Sequence, residues 1–490
     1  MDTERYRKLT ILHSNDLHGA FLAEEKDSML IGGVSHLSGY VQKVRDENPH
    51  VLYCISGDML QGSLIDSEYR GLSTIEIMNM LGPDVASLGN HETDYGLTHL
   101  LFLERCARFP IVNANIFINN PYTRLFEPHV FIEEGGMNIM FIGIITEEVM
   151  SHIRSDELVS SLIDVNDAAE EVGRICDAYR STKVDLTVLL THIGFEEDKK
   201  LAALLDPAWG VDVIIGGHSH TELEQPEVVN DILIVQAAVG TRQIGHFDLV
   251  VDTVLDTVHE YEWKLVPITD ENCPRDEALE RLVYAYKEQT DRKFNRLLYR
   301  MDHELTHPSR YQETGLGNLF ADALKDCLGV DVALFGSGAV RVKSMGPMVT
   351  LGILTEAVPF REKVFMVLVT GKQLKVMWKH ILREEAFMGE HTEFFQLSFG
   401  MEIIWSRGAQ EFSRFDFDGA PVDEKKLFSI AFHEFHRNNF ADSFGFPYEE
   451  ALENGREAVV ATNCQDVLVE YFTDNEPEAE GVDGRLTILP

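Results

Sequence analysis

Five short apolar runs in this chain are each followed closely by residues of the kinds that bind metal ions, and that pattern narrows what the chain can fold into. The runs are Leu9–Leu12, Val51–Ile55, Val85–Leu88, Leu186–Leu190 and Val211–Ile215. After them come Asn15-Asp16-Leu17-His18-Gly19, Gly57-Asp58, Gly89-Asn90-His91-Glu92, Thr191-His192 and Gly216-Gly217-His218-Ser219-His220. Apolar runs of this length, bounded by Gly and polar residues, read as buried strands. In open α/β sheets, ligands bind beyond the carboxyl ends of the strands. Strands ending at one rim would pool seven candidate ligands into one site: Asp16, His18, Asp58, Asn90, His192, His218 and His220. Carboxylate and amide oxygens mixed with imidazoles suit a pair of divalent transition metals. Any one cluster alone is more often a turn with a surface histidine. Their repetition in this order, each after an apolar run, leaves little room for coincidence.

Composition limits the alternatives. A chain of 490 residues exceeds one ordinary core, so two or three domains are expected. Its 44% hydrophobic and 25% charged residues are those of a soluble globular protein. No apolar run approaches the length of a membrane-spanning helix. Met1–Lys8 mixes charges of both signs and shows no signal-peptide pattern, so a cytoplasmic location is expected. With 42 basic and 81 acidic residues the net charge is −39, which repels nucleic-acid polymers and anionic membranes. It also repels phosphorylated molecules, so a site for one needs local positive charge, and two divalent cations would supply it. Cys54, Cys106, Cys176, Cys273, Cys327 and Cys464 are widely spaced, with no Cys-x-x-Cys, and read as free, mostly buried thiols.

Between the ligand strands the pattern turns helical. Gly33–Asp46 has Val34, Leu37, Val41 and Val44 on one face. Ser73-Thr74-Ile75-Glu76 has the form of a capping box opening a short helix that Gly82 ends. Ala168–Ser181 and Glu196–Leu205 read as helices, and Ile232–Ala238 and Phe247–Val251 as strands. Pro274–Arg300, charged and free of Gly, reads as one long amphipathic helix.

The ordered set Asp-x-His, Gly-Asp, Gly-Asn-His-Glu, His and Gly-His-x-His resembles the signature of the calcineurin-like metallophosphoesterases. The longer segments Ile11–Gly19 and Gly89–Gly96, with Gly32-Gly33 and Gln61-Gly62-Ser63, look like the 5′-nucleotidase branch. The rest of the chain is similar to that branch more loosely. Arg310, Glu313-Thr314, Leu316-Gly317-Asn318 and Ala321-Asp322-Ala323 match the opening of its C-terminal domain. Gly336-Ser337-Gly338-Ala339-Val340-Arg341, Pro359-Phe360 and Asp483-Gly484-Arg485-Leu486-Thr487 occupy its later motifs. The resemblance implies an α/β protein: a four-layer metallophosphoesterase β-sandwich flanked by helices over residues 1–270, a linker helix over 271–300, and a smaller α/β C-terminal substrate-binding domain over 301–490. Two departures stand out. Gly336 replaces an Asn of the family's turn, and Asp442-Ser443-Phe444-Gly445-Phe446 stands where the family has Gly-Gly-Asp-Gly.

The resemblance also implies roles. Asp58 would bridge two divalent metal ions, manganese or zinc; Asp16, His18 and His220 would complete one, and Asn90, His192 and His218 the other. A hydroxide bridging the ions would attack the phosphorus. His91 is the candidate to protonate the leaving oxygen, with Asp94, three residues on, fixing its tautomer. Arg310 and Arg341 would meet the substrate's remaining charge, and Phe360 and Phe446 would stack on a base. Arg341 and Phe360 are expected to face the metal cleft. His433 and His436 are open to two readings, a ligand contact or a surface patch. The expected partner is a small phosphorylated substrate, a nucleoside 5′-monophosphate, and not a nucleic-acid polymer or a membrane; no signal bears on oligomeric state. The departures point to weak discrimination among bases, or to a non-nucleotide phosphate. Alternatives are a cyclic-nucleotide phosphodiesterase or nucleotide-sugar pyrophosphatase on the same site. A catalytically silent metal- or nucleotide-binding protein is a third, and the intact ligand set with His91 and Asp94 argues against it.

Overall fold

Each of the five apolar runs contributes a strand, and those of Val51–Ser56, Val85–Ser87, Leu186–His192 and Val213–Ile215 are buried at every residue. Parallel strands covered on both faces need no polar side, which is why they read as unbroken apolar runs. The computed structural model describes residues 4–118, 123–145, 159–161, 164–387, 394–474 and 481–490. The chain divides into two units, Met1–Thr290 and Asp291–Pro490.

The first unit has two six-stranded sheets. Their strands in chain order are β1 (Tyr6–Ser14), β2 (Val51–Ser56), β3 (Val85–Ser87), β4 (Ile111–Val112), β5 (His129–Glu134), β6 (Met137–Ile145), β7 (Leu186–His192), β8 (Val213–Ile215), β9 (Glu227–Val229), β10 (Ile232–Val235), β11 (Gln243–Asp252) and β12 (Thr257–Pro267). The first sheet runs β12-β11-β1-β2-β3-β4, with β1 to β4 parallel. The second runs β9-β10-β8-β7-β6-β5, with β6, β7, β8 and β10 parallel. Strand side chains alternate between faces. Leu52, Cys54 and Val85 pack against Ile139, Phe141, Val188 and Val213 between the sheets. Tyr53 and Ile55 point the other way, beneath Leu37, Val41, Ile77, Leu100 and Leu279. Helices Val165–Ala178 and Phe195–Leu204 cover the second sheet's outer face, where Val172, Ile175 and Leu201 meet Met140, Leu189 and Ile214. The result is the four-layer helix–sheet–sheet–helix sandwich.

Two local expectations are corrected. No capping box forms at Ser73: the helix is Leu72–Leu81, opened by Gly71 at φ 85°. The Ser73 hydroxyl donates to the Ile65 carbonyl (2.8 Å), and Thr74 donates to Asp66, so both are drawn into tertiary contacts. The long helix is also shorter than expected, Glu277–Phe294. Asp276 caps it by accepting from the Ala278 and Leu279 amides at 3.0 Å, and Leu297–Arg300 leaves it to pair as a strand with Met348–Thr350.

The second unit centres on a five-stranded sheet ordered Phe395–Leu397, Val332–Gly336, Leu427–His433, Val364–Thr370 and Ala458–Ala461. Helices Gly315–Leu328 and Cys464–Asp474 pack Phe320, Leu324 and Leu468 against Ala333, Phe335 and Ala431. Helix Gly371–Ile381 packs Leu374, Met377 and Trp378 against Leu334, Val367 and Ile430. All six cysteines are free. Among the described residues no helix is long and apolar enough to cross a membrane.

Candidate metal centre

The seven candidate ligands come together where strands of both sheets end. His192 Nε2 lies 3.1 Å from Asp58 Oδ2 and 3.8 Å from Asp16 Oδ1. His18 Nε2 lies 3.7 Å from Asp58 Oδ2 and 3.2 Å from His220 Nε2. His220 Nε2 is 3.4 Å from Asp16 Oδ1, and His218 Nδ1 is 3.0 Å from Asn90 Oδ1. Two groups have ligand atoms all within 4.8 Å of one another: Asp16 with His18 and His220, and Asp58 with His192 and His218. A third, His18 with Asp58 and His91, brings the His91 ring to the same place.

The backbone bends sharply to achieve this. Asp16, His18, Asp58, His218 and His220 all have left-handed backbones, with φ between 46° and 75°. Such positions cost about 1–3 kcal/mol each and persist where the surroundings over-determine them. Here the sharp turns after the strands aim successive side chains at one point. The glycines of the motifs give room for it. A Cβ on Gly57 would stand 2.4 Å from His192 Nδ1, and one on Gly89 would stand 2.2 Å from Asp58 Oδ1.

The donor set fits cations. His192 Nδ1 lies 3.0 Å from the Ser56 carbonyl, and only an N–H can sit there. Its Nε2 is buried and faces the Asp58 and Asp16 oxygens, so it needs either a proton or a cation there. A lone pair against a carboxylate is repulsive unless a positive charge lies between them. Burial alone would keep His192 neutral, yet Asp58 and Asp16 outweigh it and hold its pKa up at about 9. Burial likewise opposes charge on Asp58, but His192 and the His91 amide hold that carboxyl down to about 2. Both shifts say that the pocket favours positive charge. Burial lowers the pKa of His18 and His218, which leaves them neutral and able to ligate.

His91 and Asp94 sit beside this group. His91 Nδ1 lies 2.7 Å from Asp94 Oδ2, and this hydrogen bond raises the imidazole's pKa against the opposing effect of burial. The His91 amide donates to Asp58 Oδ1 at 2.9 Å. Glu92, 2% exposed, turns inward and accepts from the amides of Gly89 (2.6 Å), Met59 (2.8 Å), Asp58 (3.0 Å) and Leu60 (3.3 Å). It ties two ligand loops together through their backbone amides.

Several supporting residues escaped the sequence reading. Asn15 donates to Asp16 Oδ2 at 2.7 Å and to the Ala238 carbonyl at 2.6 Å, orienting the carboxylate. The Ser56 hydroxyl reaches the carbonyls of Thr191 (2.8 Å) and Ile215 (2.7 Å), stitching one sheet to the other. Asp198, wholly buried, accepts from the Thr191 hydroxyl at 2.6 Å, and burial pushes its carboxyl up to about 7. Asn15 opens the first cluster beside Asp16 and Ser56 directly precedes Gly57-Asp58, which is the one signal that could have given them a role.

In the second unit, Arg341 and Phe360 are exposed and paired, with the guanidinium 5.6 Å from the ring centre. Arg310 packs on the same turn, its guanidinium filling the place a Cβ on Gly338 would take. Phe446 is different. It is 8% exposed and sits in the core, edge-on to Phe440 at 5.4 Å, so its environment is that of a core aromatic and offers no open stacking face. His433 and His436 do not form a surface patch. Both are buried among Phe335, Phe395 and Phe444, and burial pushes the His433 pKa down to about 4.

Residues 9–222 match the family described as calcineurin-like phosphoesterase, and residues 298–446 match the 5′-nucleotidase C-terminal domain. The chain is 29% identical over 413 residues to the trifunctional nucleotide phosphoesterase protein YfkN of Bacillus subtilis (strain 168), covering 75% of this chain and 27% of that protein. It is 26% identical over 456 residues to the 5′-nucleotidase of Mus musculus, covering 83% of this chain and 77% of that one. Among solved structures it is similar to a 5′-nucleotidase precursor from Thermus thermophilus, with a TM-score of 0.62, 25% identity, and coverage of 98% of this chain and 99% of that chain.

Proposed function

Because this chain belongs to the 5′-nucleotidase family of calcineurin-like phosphoesterases, we propose that it is a hydrolase that cleaves phosphomonoesters, nucleoside 5′-monophosphates first among them, with two divalent cations held by its first unit. The observation that carries the reading is Asp58. Its carboxylate shares one ligand-distance group with His192 and His218, and another with His18 and His91. A carboxylate can serve two cations at once, whereas an amide or imidazole carries too little charge to do so. In this reading Asp16, His18 and His220 hold one ion, Asn90, His192 and His218 the other, and Asp58 both. Bound there, the cations supply an activated water at neutral pH and counter-charge for the phosphoryl oxygens.

The chain's own residues do the rest. His91 gives a proton to the leaving oxygen from Nε2, because Nδ1 is committed to Asp94 at 2.7 Å. That hydrogen bond keeps a proton on the imidazole nearer neutral pH. Asn90 beside it holds an ion, so acid and ion are fixed by one turn. The exposed Arg341–Phe360 pair of the second unit suits the flat, polar leaving group of a nucleotide, guanidinium and ring together. Manganese and zinc both match the donors. The family also includes forms that act outside the cell; this chain is proposed to act in the cytoplasm.

A second reading, cleavage of diesters or pyrophosphates at the same centre, is favoured by the likeness to the Bacillus protein, a trifunctional nucleotide phosphoesterase. One panel of aryl phosphate, nucleoside monophosphates, cyclic nucleotides and nucleotide sugars, run with manganese and after chelation, separates the readings. Phosphomonoester turnover should require the metal and be lost in Asp58→Asn. Full turnover after exhaustive chelation, or in Asp58→Asn, refutes the two-ion reading.

A further inference from the structure

The loops that carry Asp58 and His91 are fastened together by two buried carboxylates that reach in opposite directions. Glu92 of the second loop holds the backbone of Asp58, Met59 and Leu60 in the first. Asp66 of the first loop is wholly buried. Its Oδ2 accepts the Tyr95 hydroxyl at 2.7 Å and the Gln61 amide at 2.9 Å, and its other oxygen takes the Thr74 hydroxyl. Three hydrogen bonds offset the desolvation of that carboxylate.

Tyr95 adjoins Asp94, whose carboxylate holds His91. The turn between them is weak by itself. His91–Thr93 is a single 3₁₀ turn, and Gly96, with φ 87°, ends the segment as the N-cap of the helix Leu97–Cys106. The Tyr95 ring makes further contacts with the first loop's short helix, Leu64–Tyr69. The guanidinium of Arg70, at that helix's end, lies 6.0 Å from the ring centre. The His99 ring stands edge-on to Tyr95 at 6.0 Å, and His99 Nε2 bonds the Arg70 carbonyl at 2.7 Å. The same loop leans on a third ligand segment: a Cβ on Gly62 would stand 2.3 Å from the His18 carbonyl.

We infer that Asp66 and Tyr95 are positioning residues, whose hydrogen bond sets the Asp94–Gly96 end of the turn and so, through Asp94, aims His91 at the leaving group without touching substrate or ions. The inference rests on the reading of His91 as the proton donor. It adds to that reading a determinant 29 residues distant in sequence from the tyrosine it holds. Asn90 keeps its place when the far end of the turn loosens, because Glu92, between it and Tyr95, stays bonded to the Asp58, Met59 and Leu60 amides. What it degrades is the approach of the imidazole, and displacement of about 1 Å can cost as much as roughly 10²-fold in rate.

The test uses the full chain loaded with manganese and the variant Tyr95→Phe, which deletes one hydroxyl; Asp66→Asn, which disturbs three bonds, is the second variant. Ion content, kcat and KM are measured on an alkyl phosphate, whose leaving group needs a proton, and on a nitrophenyl phosphate, whose leaving group does not. Hydrogen exchange is read over residues 57–66 and 89–97. Both ions should be retained and KM unchanged, with kcat on the alkyl ester falling roughly 10- to 10²-fold and on the aryl ester little. Exchange should rise in both loops together. Equal losses on the two esters, no loss on either, or loss of ions would overturn the inference. If His91→Asn shows no dependence on leaving group, the proton-donor reading fails. Exchange in Tyr95→Phe then decides the clasp alone: a joint rise supports it, and an unchanged pattern refutes it.

Discussion

Replacing Glu92 by Gln should cost the first unit a large share of its stability. The carboxylate meets four backbone amides with two oxygens: Oε1 accepts from Met59 and Leu60, and Oε2 from Asp58 and Gly89. Gln has one oxygen and keeps two of those bonds. Its NH₂ then faces two amide donors, which are left buried without an acceptor. Each orphaned donor costs about 1–3 kcal/mol, so the variant should lose roughly 2–6 kcal/mol. Against a typical total of about 5–15 kcal/mol this is a large fraction. The effect should also reach the ions, because the Asp58 amide is one of the donors released. Calorimetry of the ion-free protein should show a lowered transition, and equilibrium dialysis weaker manganese binding. There is a pH signature as well. Burial, then Asp58, pushes the Glu92 carboxyl up to about 7 in the ion-free protein. A carboxyl raised in the folded state contributes stability that is complete below its unfolded value, near 4.5, and lost as pH rises through about 7. Cations at Asp58 counter that loss, so manganese should raise the wild-type melting temperature more at pH 8 than at pH 5. A Glu92→Gln protein that melts with the wild type and binds manganese equally well would refute the reasoning.

His91→Ala should keep both ions and lose roughly 10²–10⁴-fold in kcat, with the loss shrinking for aryl leaving groups; metal analysis of the purified variant checks it, and loss of the ions would make His91 a ligand. Arg341→Ala should raise KM for nucleotides and spare small aryl phosphates, since uniform binding lost at a remote contact appears in KM; equal effects on both would count against a role in gripping the leaving group. Asp198→Asn should raise the melting temperature at pH 8 and not at pH 4, because burial lifts that carboxyl from 3.8 to about 7 and its stabilisation is lost as pH rises through that window; thermal melts across pH decide it.

The strands were legible because they are covered on both faces, so that Val51–Ser56 and Leu186–His192 appear as unbroken apolar runs, whereas their arrangement as a four-layer sandwich was implied by the family resemblance. The seven candidate ligands were legible for a related reason: each falls at or just beyond the end of a strand, and strand ends at one rim converge. What the sequence hid is long-range. Ser73 and Thr74 have the right types for a capping box, but their hydroxyls are claimed by Ile65 and Asp66. Phe446 stands in a motif segment and His433 and His436 in no pattern that betrays their burial, and local pattern does not tell an aromatic that lines a site from one that fills a core. The Asp66–Tyr95 bond joins two residues that are each ordinary by type, and no spacing rule links them.

The candidate ligands are divided between the two sheets. Asp16, His18, Asp58 and Asn90 follow β1, β2 and β3 of one, and His192, His218 and His220 end β7 or follow β8 of the other. Ions held by that set would tie the two sheets together at one end, so a parting of the sheets there would pull their ligands apart and release them. Ion release is then a clock for breathing of the whole first unit. A cavity cut far down the strands, at Phe141 or Val188 in the layer between the sheets, should make the clock run faster without altering any atom that touches an ion.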